Sequence, residues 1–255
     1  MLPGMMPVIA GSRWRPSRLG SLALWLDGAD ASTVTTAGGS VSSWADKSGN
    51  GRTVTQGTGT ARPTHNSSTG YLSFDGGDSL SVTSNVFGTG SPAYTWAFVM
   101  RTGADTSARI LASYGNANNN NQLNVYGTGS SQHTNYWWFN DLAGPASSTS
   151  TNYIGYVRFS GSAGANSHEI WINGPASVSA SRNASGLNLQ TGHTFHVGKR
   201  WDNFFWNGLI GEMIIFNADV GSGTDDHRRI EGYLAHKWGL ASLLDAGHPY
   251  KNFAP

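Results

Sequence analysis

Tyr94-Thr95-Trp96-Ala97-Phe98-Val99-Met100 is the stretch that decides the fold class. Its bulky apolar side chains recur at every second position from Tyr94 to Met100, which is the period of a β-strand. Similar runs occur at residues 22–27, 123–126, 136–139, 153–159, 168–173, 195–199 and 209–216. Clusters of turn-forming Gly, Asn, Asp and Pro separate these runs. Short strands joined in this way are typical of an antiparallel β-sandwich or barrel.

One segment near the C-terminus has a helical pattern instead. Between Asp225 and Trp238 the apolar residues are spaced i, i+3, i+4 and i+8. Thr224 is placed to cap the first turn, and Gly239 is placed to end the helix. The sequence therefore predicts one amphipathic helix packed on the β-structure. We divide the chain into an N-terminal arm (1–20), a β-sandwich (21–222) and a C-terminal helix and tail (223–255).

The composition excludes several classes of function. Sixteen Lys and Arg balance fifteen Asp and Glu, so the chain has no broad basic surface for nucleic acid. The absence of cysteine excludes disulfides and thiolate metal ligands. No apolar run approaches the roughly 20 residues that span a bilayer, so we expect no membrane insertion.

Seven short phrases follow one another along the chain. They are LWLD (24–27), SWADKSGNG (43–51), ARPT (61–64), LSFDGGD (72–78), IWING (170–174), FWNGLIGE (205–212) and IEGYLAHKWG (230–239). In this order they resemble laminin-G-like (LamG), concanavalin A-like jelly-roll domains of bacteriophage virion proteins and bacterial surface proteins. The resemblance covers roughly residues 21–252. It implies an all-β, antiparallel two-sheet jelly-roll sandwich with one C-terminal α-helix.

The resemblance also implies a function. It favours a non-enzymatic phage virion structural protein, such as a capsid decoration, head-fibre or tail-associated subunit, that displays a lectin-like domain at the virion surface. We then expect a homo-oligomer, contacts of residues 1–20 with other virion subunits, and attachment to host-surface glycans. A bacterial carbohydrate-binding or adhesion module, at the cell surface or outside the cell, is the alternative.

Glycoside hydrolysis needs two carboxylates that face the same sugar bond. The chain has three glutamates, Glu169, Glu212 and Glu231, and each stands alone in the sequence. Motifs for a serine nucleophile are also absent. We therefore predict that the chain is not an enzyme. A glycoside hydrolase that depends on Glu169 or Glu212 is the least favoured hypothesis.

Two segments combine aromatic residues with amide and charged groups, a composition typical of sugar-binding sites. These segments are 200–207 and 136–141, the second on a predicted strand. The candidate ligand-binding residues are Trp201, Asp202, Asn203, Phe204, Trp206 and Trp138. The alternative role of these aromatic side chains is packing in the core or in a subunit contact.

Aspartates in turns are candidates to bind calcium, which prefers oxygen ligands. The candidates are Asp27 and Asp30 in the first turn and Asp75 and Asp78 around a Gly-Gly pair, with Asp46 as a further candidate. Their alternative role is to brace their own turns through side-chain hydrogen bonds. We expect no cofactor other than calcium.

Overall fold

The computed structural model describes residues 14–104, 109–116, 123–129, 132–137 and 140–255. Within these residues the chain forms seventeen β-strands and one α-helix. The strands are β1 (Leu22–Asp27), β2 (Val34–Ala37), β3 (Ser40–Trp44), β4 (Val54–Thr55), β5 (Thr64–His65), β6 (Leu72–Asp75), β7 (Leu80–Val82), β8 (Tyr94–Thr102), β9 (Arg109–Gly115), β10 (Leu123–Gly129), β11 (Gln132–Tyr136), β12 (Leu142–Ala146), β13 (Asn152–Phe159), β14 (His168–Ile172), β15 (Ala180–Arg182), β16 (Phe195–Val197) and β17 (Asn207–Phe216). The helix α1 is Asp225–Lys237.

All the strand pairs in these residues are antiparallel, and they form two series. One series runs β1–β17–β8–β13–β14–β15. The other runs β12–β11–β10–β9–β16–β7–β4–β3. The short strands β5 and β6 connect the two, because β5 pairs with β3 and β6 pairs with β17. The prediction of an all-β, antiparallel class is confirmed.

The main hydrophobic core takes side chains from both series. From the first series, Leu24 of β1 and Trp96 of β8 lie in this core, and from the second series Tyr114 of β9 does. The opposite face of β1 and β8 is also buried, with Trp25 and Val99 in a second apolar cluster. β8 is therefore apolar on both faces, which explains why its sequence is a nearly continuous apolar run.

Helix α1 covers this outer face through Ile230 and Leu234, which are fully buried in the second cluster. The hydroxyl of Thr224 accepts the backbone N–H of His227 at 3.2 Å. Gly239 follows the last turn with φ +67°, a conformation that glycine adopts without strain. The prediction of a single α-helix with these ends is confirmed for the described residues. In this part of the chain no helix has the length and apolarity needed to cross a membrane.

Residues 14–20, which the sequence pattern placed in an arm, lie against the same chain. Trp14 belongs to the second cluster, and its ring centroid is 5.8 Å from that of Tyr233. The backbone N–H of Trp14 also donates to the carbonyl of Pro255 at 3.2 Å. Residues 1–13 lie outside the described residues, and the contact of residues 1–20 with other subunits stays a prediction.

The strand predicted over 136–139 differs from the structure. β11 ends at Tyr136, and the backbone N–H of Trp137 donates to the carboxylate of Asp141 at 2.8 Å instead of continuing a ladder. The Trp137 side chain is fully buried in the main core. Residues 138 and 139 lie outside the described residues.

Candidate functional site

A tight turn between β16 and β17 carries exposed aromatic residues. The backbone N–H of Arg200 donates to the carbonyl of Phe204 at 3.0 Å, and that of Asn203 donates to the carbonyl of Arg200 at 3.1 Å. Asn203 has φ +63°, in the left-handed region that asparagine tolerates better than most residues. We call residues 200–205 the aromatic loop. Its shape is fixed by its own backbone hydrogen bonds.

Two aromatic side chains of this loop face solvent beside a fixed ion pair. Trp201 is 40% exposed and Phe204 is 43% exposed. Nε and Nη2 of Arg200 donate to the two carboxylate oxygens of Asp202 at 2.6 and 2.7 Å. The same guanidinium lies 4.5 Å from the ring centroid of Phe204. Aromatic faces next to oriented donors and acceptors can hold the C–H surface and the hydroxyls of a sugar.

Two of the predicted ligand residues do not join this surface. Trp206 is fully buried in the main core, so its assignment as a ligand residue is corrected. The physical reason is that the chain re-enters the sheet at this point, where the backbone N–H of Trp206 donates to Gly198 at 2.7 Å. Trp138 lies outside the described residues. The ligand-binding role of Trp201, Asp202, Asn203 and Phe204 stays a prediction.

The turn with Asp75 and Asp78 lies beside the aromatic loop, because Asp75 pairs with Asn207 in the β6–β17 ladder. Oδ1 of Asp75 accepts the backbone N–H of Gly77 at 2.8 Å, and Oδ2 of Asp78 accepts that of Asp75 at 2.9 Å. Burial raises the pKa of Asp78. Both carboxylates therefore brace their own turn. Among the described residues no cluster of three His, Cys, Asp or Glu is suited to a metal, and calcium stays a prediction.

A cleft of about 640 Å³ lies at the second apolar cluster, between β1, α1 and residues 14–17. We call it the helix cleft. Its aromatic lining includes Trp14, Trp25, Tyr233 and His236, and its charged lining includes Arg15, Asp27, Asp30, Lys47 and Lys237. A cleft of this size is within the range of small-molecule sites.

Two lysines neutralise the carboxylates at the floor of the helix cleft. Nζ of Lys47 lies 2.8 Å from Asp27 and 2.7 Å from Asp30. Nζ of Lys237 lies 2.5 Å from Asp27 and 2.7 Å from Glu212. The ammonium of Lys47 thus stands between the two aspartates where a bound calcium would have to lie. Its hydrogen bond to Asp30 is the main reason that the pKa of Asp30 falls to about 2.

Glu212 is fully buried next to Asp27, its neighbour across the β1–β17 ladder. Besides Lys237, its carboxylate accepts from the Nε1 atoms of Trp25 and Trp238, each at 2.7 Å, and from the hydroxyl of Tyr233 at 2.8 Å. Burial raises the pKa of Glu212 and of Tyr233. This network joins β1, β17 and α1, and no local sequence pattern indicates it.

The other two glutamates are paired as well. Glu231 lies 3.2 Å from Nε2 of His227 and 3.2 Å from Nε2 of His248. Although burial acts in the opposite direction, these two histidines lower the pKa of Glu231 to about 2. Glu169 accepts from Nε1 of Trp171 at 2.9 Å. The expectation that no glutamate has a second acid beside it is therefore contradicted for Glu212, which lies next to Asp27, whereas Glu231 contacts two histidines and Glu169 a tryptophan.

Comparison with known proteins finds solved structures with a similar fold. No family model and no curated protein matches the chain. The sialidase of Trypanosoma rangeli in complex with sialic acid is similar, with 11% identity and a TM-score of 0.55 over 80% of this chain and 32% of the sialidase. Domain 4 of AbnA, a GH43 extracellular arabinanase from Geobacillus stearothermophilus, in complex with arabinotriose, has 14% identity and a TM-score of 0.55 over 79% of this chain and 94% of that domain. A GH54 α-L-arabinofuranosidase has 17% identity and a TM-score of 0.52 over 80% of this chain and 57% of that enzyme.

These similar structures contradict two predictions made from the sequence. They are two glycosidases and one domain of a third, whereas we predicted a non-enzymatic phage virion structural protein. The prediction that the chain is not an enzyme is contradicted by the same finding. It rested on isolated glutamates, and the structure places Glu212 beside Asp27. The chain spans about a third of the length of the sialidase. At these identities the likeness concerns the fold alone, and that fold is an all-β type found in carbohydrate-related proteins.

Proposed function

We propose that this chain is a carbohydrate-binding domain and that the aromatic loop is its binding surface. The observation that carries the proposal is the exposure of Trp201 and Phe204 on a turn closed by its own backbone. Exposed aromatic rings on one turn offer apolar faces that a sugar ring can cover. The Arg200–Asp202 pair beside them supplies donors and acceptors in a fixed orientation.

The similar structures support carbohydrate as the class of ligand. Domain 4 of the arabinanase, which the chain covers over 94% of its length, is a structure in complex with arabinotriose. The chain also spans only part of the sialidase and of the arabinofuranosidase. Its place as one domain of a larger carbohydrate-active protein is therefore part of the proposal.

We also propose that the fold is a two-sheet jelly roll of the laminin-G-like kind. Support comes from the two series of strands, each of which contributes one face to the main core. Trp96 and Phe98 come from the first series, and Trp44 and Tyr114 from the second. β5 and β6 connect the two series at one edge, as in a sandwich that closes toward a barrel.

Binding of oligosaccharides by calorimetry tests the function. Arabinotriose and a panel of neutral oligosaccharides are titrated into the wild-type protein, Trp201→Ala and Phe204→Ala. Loss of one stacking ring removes about 1.5 kcal/mol or more of apolar contact, so we expect each variant to bind about tenfold more weakly. Phe253→Ala is the matched control, because Phe253 is 61% exposed and lies outside the aromatic loop.

Unchanged affinity in both loop variants would refute the role of the aromatic loop, and so would an equal loss in the Phe253 control. Release of reducing sugar is measured with the same panel, because the similar structures include glycosidases. Any release is then repeated with Asp27→Asn, which removes the carboxylate next to Glu212, after circular dichroism has verified that this variant keeps its fold.

A further inference from the structure

Arg15 stands at the mouth of the helix cleft with a free guanidinium. Its side chain is exposed, and within the described residues no carboxylate pairs with it. We propose that the helix cleft is a second binding site and that its ligand is a saccharide carrying one carboxylate, held by Arg15. This site is separate from the aromatic loop and shares with the proposed function only the class of ligand.

The other charges of the cleft are already paired. Lys47 contacts two carboxylates, and Lys237 contacts two carboxylates and the hydroxyl of Tyr233 at 3.0 Å. Asp27 and Glu212 are 4% and 0% exposed, and lysines already neutralise their carboxylates. Arg15 is therefore the cation of the cleft that can still bind a carboxylate of a ligand. A guanidinium can take a carboxylate with two parallel hydrogen bonds.

The rest of the cleft lining suits a sugar ring. Trp14 and Trp25 supply apolar walls, and Asp30, Ser17 and Lys47 present acceptors and donors at the mouth. The side chain of Asp30 is 36% exposed and that of Lys47 is 24% exposed, so both can reach hydroxyl groups. A mixture of aromatic walls with both kinds of polar group fits a polyhydroxylated ligand better than a simple carboxylic acid.

The two proposed sites lie near different positions along β17. Asp27 pairs with Glu212 on β17, whereas the aromatic loop precedes Asn207 at the start of β17. Five residues of extended strand correspond to about 17 Å. A single sugar unit therefore does not reach both sites, and we expect a substitution in one site to leave the other intact.

Paired titrations test the second site. Disaccharides that contain one uronic acid, such as cellobiouronic acid, are compared with their neutral counterparts, such as cellobiose. Each is titrated into the wild-type protein, Arg15→Gln, Trp201→Ala and Arg101→Gln. Arg101 is an exposed arginine that does not line the cleft and serves as the matched control. Circular dichroism and thermal unfolding verify that each variant is folded.

We expect an acidic disaccharide to bind at least about tenfold more tightly than its neutral counterpart. This ratio corresponds to the net free energy of one charge-assisted hydrogen bond. Arg15→Gln should remove this preference, and the other two variants should retain it. The proposal is overturned if no acidic disaccharide binds, or if the preference survives Arg15→Gln. Loss of the preference in Trp201→Ala alone would also overturn it, because it would assign the acidic ligand to the aromatic loop.

Discussion

Replacing Lys237 by methionine tests how the helix is held on the sheet. The variant keeps the length and the apolar stem of the side chain but removes the ammonium that contacts Asp27 and Glu212. Glu212 is fully buried, so its negative charge would lose its one cationic partner among the described residues in a place that water does not reach. Asp27 would keep Lys47.

Removing one partner of a buried ion pair costs about 3–5 kcal/mol. Lys237 itself is 21% exposed, so solvent offsets part of the loss and we expect the lower end, about 3 kcal/mol. For a chain of 255 residues this corresponds to a fall in Tm of about 6–12 °C. Lys251→Met is the matched control, because Nζ of Lys251 donates to the neutral carbonyls of Ser242 and Leu244. We expect that control to cost about 1 kcal/mol.

Urea unfolding at pH 7 measures these free energies, and a double-mutant cycle with Glu212→Gln isolates the coupling. Because both residues act through the same contact, we expect a coupling energy above about 1 kcal/mol. A coupling below about 0.5 kcal/mol would refute the argument, since the two side chains would then behave as independent sites. So would equal losses in Lys237→Met and in the Lys251 control.

Three further outcomes are expected. Trp206→Ala should lower the free energy of unfolding by about 3–5 kcal/mol in urea titrations, since it empties a fully buried site. Gly28→Ala should cost about 1–3 kcal/mol in the same assay, because an added Cβ would clash with the carbonyl oxygen of Gly70. Burial lowers the pKa of His133 to about 4 and that of His168 to about 3. Below pH 6.5 the unfolded chain therefore binds protons at these two histidines, whereas the folded chain keeps them neutral. Each histidine should then reduce stability by up to about 1.4 kcal/mol per pH unit from pH 6.5 down to about 4, and His168→Gln should flatten a urea-midpoint profile against pH.

Local sequence patterns predicted the elements whose determinants are themselves local. The helix is the best case, because Thr224, the spacing of Ile230 and Leu234, and Gly239 all lie within one short segment. The aromatic loop was also visible, since its composition distinguishes residues 200–205 from the surrounding turns. Which of its rings face solvent was not visible. Trp201 and Trp206 have similar neighbours in sequence, and only the return of the chain into β17 buries the second.

The pairing of Asp27 with Glu212 could not be found from the sequence, because 185 positions separate the two and the contact depends on the register of β1 against β17. A weaker signal was present. Trp25 lies between Leu24 and Leu26, which face the main core, so its ring faces the opposite side of the sheet. A large apolar ring on that side indicates that another element covers it. The sequence pattern indicated no paired carboxylates because Asp27 and Glu212 lie on different strands, β1 and β17.

The residues that hold the helix and those that line the helix cleft overlap, and this decides which substitutions are informative. Asp27, Lys47 and Lys237 line the cleft and also carry the ion pairs between β1 and α1. Loss of ligand binding in a variant of these residues would therefore follow from a displaced helix as readily as from a lost contact. Arg15 lines the cleft without joining those ion pairs, so its substitution separates binding from stability. By mass action, an acidic saccharide that binds the cleft should raise the Tm of the wild-type protein with increasing concentration. Arg15→Gln should abolish that increase while leaving the Tm of the free protein unchanged.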